Sequence, residues 1–223
     1  VGPIAIQNLI AAAVSSADVI MLGYVGQTAI AASSLAGNIQ FLLIMVATGT
    51  SSGLVMLAAQ YWGKQDTESI RTLHGIALRI SAVCGLIFSI AAMFFPHLLM
   101  KIFTDEVDLI NTGSKYLRAV SFSYFFFAVS QVFQAGFKSI ERVKIVTIMT
   151  TTALSLNIFL NAVFIFGWFG LPQMGIVGVG LATTISRAVE LIFCLIYAKT
   201  QKDVKFRLSN VFRRKKILTF DFI

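Results

Sequence analysis

Charge is scarce in this sequence. Asp, Glu, Lys and Arg make up 13% of the residues, against 57% hydrophobic types and a mean hydropathy of +0.83. A soluble domain needs about a quarter of its residues charged to cover its surface. A water-facing globule of 223 residues is therefore excluded, and lipid is the expected solvent for most of the chain. Cysteine and histidine are nearly absent too. Cys84 and Cys194 sit singly in apolar runs, without redox or metal spacing, and read as packing residues. His74 and His97 lie far apart near expected helix ends, so no metal site is expected. No nucleophile, base and orienting group stand together, which argues against an enzyme. Nor is a signal peptide recognisable: Val1 opens directly into an apolar run too long for one. That opening reads as a start inside a first helix whose upstream residues are missing.

Basic residues outnumber acidic ones, eighteen to ten, and their placement decides what the surplus means. Eight of them fall between Lys199 and Lys216, three more are Lys138, Arg142 and Lys144, and another three are Lys64, Arg71 and Arg79. Clusters between apolar runs match the positive-inside pattern of cytoplasmic loops. A basic tail after apolar helices suits anionic lipid headgroups better than nucleic acid. The bilayer is the expected partner, and nucleic acid is not.

A helix needs about 20 mostly apolar residues to span the hydrocarbon, and six segments qualify: 3–24, 29–62, 75–97, 116–137, 145–168 and 175–198. The expected fold is all-α and polytopic, a six-helix lobe over 1–198 followed by a basic linker over 199–223. Its loops alternate in character. The basic ones fall on one side, which places the amino terminus and the basic tail in the cytoplasm of a multi-pass cell-membrane protein. The apolar hint in Ile217, Leu218 and Phe220 makes the tail read as a linker toward something further.

A charge inside the bilayer costs at least a few kcal/mol, so each one needs a reason. Among the acidic residues only Asp18 and Glu190 fall inside expected spans, and Arg187 is the one basic residue well inside. Arg187 and Glu190 are three apart on one helix face and are expected to form a structural pair. Asp18 has no opposite charge on its own helix. It either sits hydrated at a helix end or faces a polar cavity where it carries a proton or binds a cation. Asn157 and Asn161 stand one turn apart within a run of Leu, Ile, Phe, Ala and Val. They can glue helices together. They also offer carbonyl oxygens, which with a carboxylate suit a hard cation. In the last span Gly175, Gly178 and Gly180 permit close helix approach, with Thr183 and Thr184 just beyond.

Several local patterns then occur in a telling order. Pro3 precedes Asp18, followed by Met21-Leu22-Gly23 and Ala31-Ala32; Gly49 and Gly53 lead to Ala59-Gln60-Tyr61-Trp62-Gly63. Asn157 and Asn161 are followed by Phe164-Ile165-Phe166-Gly167, then Gly175-Ile176-Val177-Gly178, Ala182-Thr183 and Ser186-Arg187. Over residues 1 to about 200 this resembles the amino-terminal lobe of the multidrug and toxic compound extrusion (MATE) transporters, the first six of twelve helices. The resemblance implies export of cationic or amphipathic drugs in exchange for protons or sodium ions, with no other cofactor. It implies that Asp18, Asn157, Asn161 and Thr183 form the coupling site. Some members carry an aspartate where this chain has Asn161, so a relay of two carboxylates is not expected here. A second six-helix lobe, from the same parent chain or another copy, is the implied partner, and the lobe by itself is not expected to transport. Two rivals keep the membrane setting: a lipid-linked saccharide flippase of the same superfamily, and a non-transporting assembly subunit in which the polar cluster is only glue.

Overall fold

The computed structural model describes residues 16, 19–170, 172–201, 203–206 and 208. Residues 19–25 are helical, and Gly26, at φ 135°, turns the chain into the first long helix. The helices that follow are α1 (Gln27–Gly63), α2 (Thr67–Phe94), the short α3 (Pro96–Lys101), α4 (Val107–Ser139), α5 (Val143–Phe166) and α6 (Gly175–Thr200). No strand occurs among the described residues. Five of the helices are long and apolar enough to cross a membrane. The expected first span lies mostly outside the described residues, and the chain is a multi-pass, all-helical membrane protein.

Length and capping show where these helices depart from the apolar runs. The 37 residues of α1 rise about 55 Å at 1.5 Å each, well beyond a hydrocarbon core of about 30 Å. Helix α2 begins at Thr67, eight residues before the apolar run, because the Asp66 side chain caps it by accepting from Ser69 N at 3.1 Å. Helix α4 likewise starts at Val107, with Asp108 in the first turn where the helix dipole favours a negative charge. His97, expected to close the third span, sits instead on α3, which Pro96 opens after α2 stops at Phe94. Hydropathy ends where charges begin, whereas a helix ends where its backbone does.

Helix α4 is the hub. It packs against α1, α2, α3, α5 and α6 and is buried over most of its length, although it is the least apolar of the five membrane-length helices. Serines make this workable: Ser121, Ser123, Ser130 and Ser139 are buried and donate to carbonyls three residues back, at 2.6–3.0 Å. Small residues bring the neighbours in close. A Cβ on Gly85 of α2 would lie 2.7 Å from Ala128 Cβ, and one on Gly180 of α6 would lie 2.7 Å from Ala119 Cβ. This is the small-residue packing that helices use in lipid, where no hydrophobic force drives them together.

The core has two storeys. One joins the start of α1 to Leu117, Val120 and Tyr124 of α4 and to Ile176 and Val179 of α6. The other lies at the basic end of the lobe, where α1 stops and α2 begins. It joins Leu54 and Ala58 to Ile70, Leu78, Phe133 and Phe137. Past α6 the chain tucks back into this second storey. Val204 and Phe206 are buried, and the Phe206 ring lies 4.8 Å from His74 and 5.6 Å from Phe137.

Candidate functional site

Helices α5 and α6 pack side by side, and Gly178 sets their separation: an added Cβ would meet Phe164 Cβ at 2.7 Å. Thr184 Oγ1 pins α6 to α4 by donating to Ala119 O at 2.8 Å. Within this frame Asn157, Asn161 and Thr183 come together. Asn161 Nδ2 donates to Asn157 Oδ1 at 3.3 Å, Asn157 Nδ2 to Thr183 Oγ1 at 3.4 Å, and Thr183 Oγ1 to Val179 O at 3.0 Å. Asn161 is fully enclosed and Asn157 is 8% exposed. The first two bonds are long, near the outer limit of hydrogen-bond geometry, so exchanging them for another oxygen partner loses little.

Asp18 lies outside the described residues. The helical stretch after it does reach the same pair of helices. Leu22 is buried in one core cluster with Ile165, Ile176 and Val179, and the Tyr24 ring lies 5.6 Å from Phe166. Asn157 Oδ1, Asn161 Oδ1 and Thr183 Oγ1 are donors of the kind hard cations take. Two of these oxygens already accept hydrogen bonds within the cluster, so a cation held here would compete with those bonds. Among the described residues no group of three or more His, Cys, Asp or Glu side chains is placed to hold a metal ion.

Arg187 and Glu190, one and two turns along α6 from Thr183, form a partly buried pair. Arg187 NH1 lies 2.8 Å from Glu190 Oε2, and the guanidinium sits 5.0 Å from the Phe127 ring centroid. Glu190 is fully enclosed, and its other oxygen accepts from Gln134 Nε2 of α4 at 2.9 Å. Gln134 is not marked out by the sequence. Gln131 stands three residues before it on the same helix, but that spacing does not single out Gln134, and its contacts to Glu190 of α6 and Thr150 of α5 reveal its role.

At the basic end Arg142 reaches Asp203 at 2.7 Å across an exposed pair. The hydrogen bond from Arg142, with the charge of its guanidinium, holds the Asp203 carboxyl below its ordinary range, and the same bond raises Arg142. This pair and the buried Phe206 tie the segment after α6 to the turn between α4 and α5.

A lobe of apolar helices packed on a central serine-rich one, with amides and a threonine bonded across two of them, is the architecture of a polytopic membrane protein. The MatE family model matches residues 3–163, and the chain belongs to this family. Similar proteins include a probable multidrug resistance protein NorM of Photorhabdus laumondii, 27% identical over 203 residues, covering 91% of this chain and 45% of the relative. The multidrug resistance protein NorM of Vibrio cholerae is 28% identical over 211 residues, 94% of this chain and 45% of that one. The chain thus spans about half the length of the curated relatives it matches. Among solved structures, the outward-facing conformation of a multidrug resistance MATE family transporter of the MOP superfamily superposes with a TM-score of 0.85. That match is 20% identical and covers 96% of this chain and 47% of the other, which shows the shared fold.

Proposed function

We propose that this chain is the amino-terminal six-helix lobe of a cation-coupled exporter of cationic or amphipathic drugs. The observation that carries the reading is the chain of hydrogen bonds from Asn161 through Asn157 to Thr183, enclosed between α5 and α6. Polar groups that face each other in an apolar interior can exchange partners without exposing backbone. Asp18 supplies the negative charge of the set, and protons or sodium ions moving inward are the cargo exchanged for drug. The names of the NorM relatives support multidrug transport, and their doubled length supports a second lobe, on the same parent chain or another copy, that completes the cavity.

In this reading the lobes rock about a central cavity, as in other transporters built from paired halves. Ion uptake at Asp18 drives the cycle only insofar as it favours one orientation over the other, since a ligand shifts an equilibrium by its differential affinity alone. Asn157, Asn161 and Thr183 provide that difference by trading their mutual bonds for contacts to the ion or to the protonated carboxyl. The basic loops belong on the cytoplasmic face.

The test is dye transport by the full-length protein in sealed vesicles under an imposed proton or sodium gradient. Gradient-driven movement of a cationic dye should be lost in Asp18→Asn and reduced at least tenfold in Asn157→Leu. The gradient that works identifies the coupling ion. Transport that ignores both gradients, or that survives Asp18→Asn, returns the cluster to the role of glue between helices.

A further inference from the structure

The lobe holds a recess away from the α5–α6 cluster, with polar groups set in a largely apolar wall. It lies between α1 and α4, has a volume of about 360 Å³, and is lined by Thr48, Ser51, Ser52, Gln131 and Lys138 with Met56 as an apolar wall. Its chemistry is uneven in a way that points to a ligand.

The first sign is a hydroxyl. Serine and threonine in these helices mostly bond back to their own carbonyls, as the neighbouring Thr50 does to Val46 O at 2.9 Å. Ser51 Oγ is buried and, like Ser81 and Ser114 Oγ, finds no hydrogen-bond partner among the described residues; of the three it alone lines this recess. The second sign is a charge. Lys138 is half-buried at the end of α4 and belongs to neither the Arg142–Asp203 nor the Arg187–Glu190 pair. Both oxygens of the Glu190 carboxylate are already taken, by Arg187 and Gln134. Arg187, Glu190 and Lys138 together therefore leave one positive charge over. The third sign is that no carboxylate is among the described residues lining the recess. Attraction of Lys138 to the end of the helix dipole explains a basic residue there, but it does not explain the buried, unbonded hydroxyl one helix away.

We propose that this recess binds the anionic oxygen head, a carboxylate or a phosphate, of an amphiphile. Lys138 supplies the charge and Ser51 a hydrogen bond, while Met56 and its neighbours on α1 take the start of the apolar tail. Charge-assisted bonds to a carboxylate or phosphate are the strong class of hydrogen bond, and an ammonium acts on either as a point charge. The site is independent of the coupling cluster.

The test uses dansyl-undecanoic acid, read by its fluorescence on binding to the full-length protein in phosphatidylcholine nanodiscs, against its methyl ester. The acid should bind about tenfold more tightly than the ester, the effect of one charge-assisted contact. That preference should vanish in Lys138→Gln, return in Lys138→Arg and fall about threefold in Ser51→Ala. Equal binding of acid and ester to the wild type overturns the proposal without recourse to any variant. So does an acid preference that Lys138→Gln leaves intact. Adding phosphatidylglycerol to the discs separates the two sources of the anion. Displacement of the probe that depends on Lys138 identifies a lipid headgroup as the resident ligand, and no displacement identifies a free carboxylate amphiphile.

Discussion

Removing Arg187 should damage the fold more than neutralising its partner. The structure makes the two changes unequal. Glu190 is completely enclosed while the Arg187 side chain is 22% exposed. Arg187→Met leaves a carboxylate in the interior with Gln134 as its one remaining hydrogen-bond donor among the described residues. Breaking a buried pair in this way costs about 3–5 kcal/mol, because the stranded charge keeps its desolvation penalty. Glu190→Gln strands the cation instead, and a guanidinium that already reaches the surface can move further out along its stem. A loss of about 1–2 kcal/mol is expected there, on the scale of one hydrogen bond to a charged group. The double variant should be less damaged than Arg187→Met alone, since it buries no unpaired carboxylate. The assay is reversible unfolding in mixed micelles, with all three variants and the wild type forming a thermodynamic cycle. Equal losses for the two single variants, or a larger one for Glu190→Gln, would refute the reasoning from burial.

Other expectations follow from single contacts. Gly180→Val should loosen α6 from α4, because its Cβ would sit 2.7 Å from Ala119 Cβ and 3.2 Å from Tyr116 O; a loss of about 1–3 kcal/mol is expected. Gly37→Ala, with open space around the new Cβ, is the control and should hold or gain slightly in the same unfolding assay. His74→Phe should not destabilise the protein, because both ring nitrogens are buried between Phe133 and Phe206 without a partner among the described residues. A fall in its melting temperature would show that the imidazole has a role its packing does not reveal. The segment after α6 should loosen in acid. Arg142 depresses the Asp203 carboxyl, so its contribution is present above the ordinary carboxylate range and is lost as the pH falls through the depressed value. A spin label at Leu208→Cys should sharpen its spectrum at low pH, and Asp203→Asn should be sharp at every pH.

The membrane setting was legible because charge, apart from Asp18, Arg187 and Glu190, is kept to loops and helix ends. The α5 amides were legible because Asn157 and Asn161 repeat at one helical turn among aliphatic residues, where any polar pair stands out. What escaped has a common cause. Thr72 and His74 are buried in α2 ahead of the apolar run, and Phe206 is buried within a stretch of basic residues; average hydropathy hides one apolar or polar residue among opposites. Gln134 matters through a contact between helices, and Ser51 through a recess between them, which no pattern along one helix encodes. The role of Asp18 rests on resemblance, whereas the bonds joining Asn161, Asn157 and Thr183 stand in the fold itself.

Helix α4 carries a consequence for how the protein is made. The span that all others lean on is also the least apolar of the five, so it has the weakest preference of its own for leaving the insertion machinery into lipid. Helices α1 and α2 are synthesised before it and must stand in the bilayer without the surface they eventually pack on. Once α4 emerges, its serines find a low-energy place chiefly against those waiting neighbours. Assembly of the lobe then hinges on a central element that its own periphery helps to draw into the membrane.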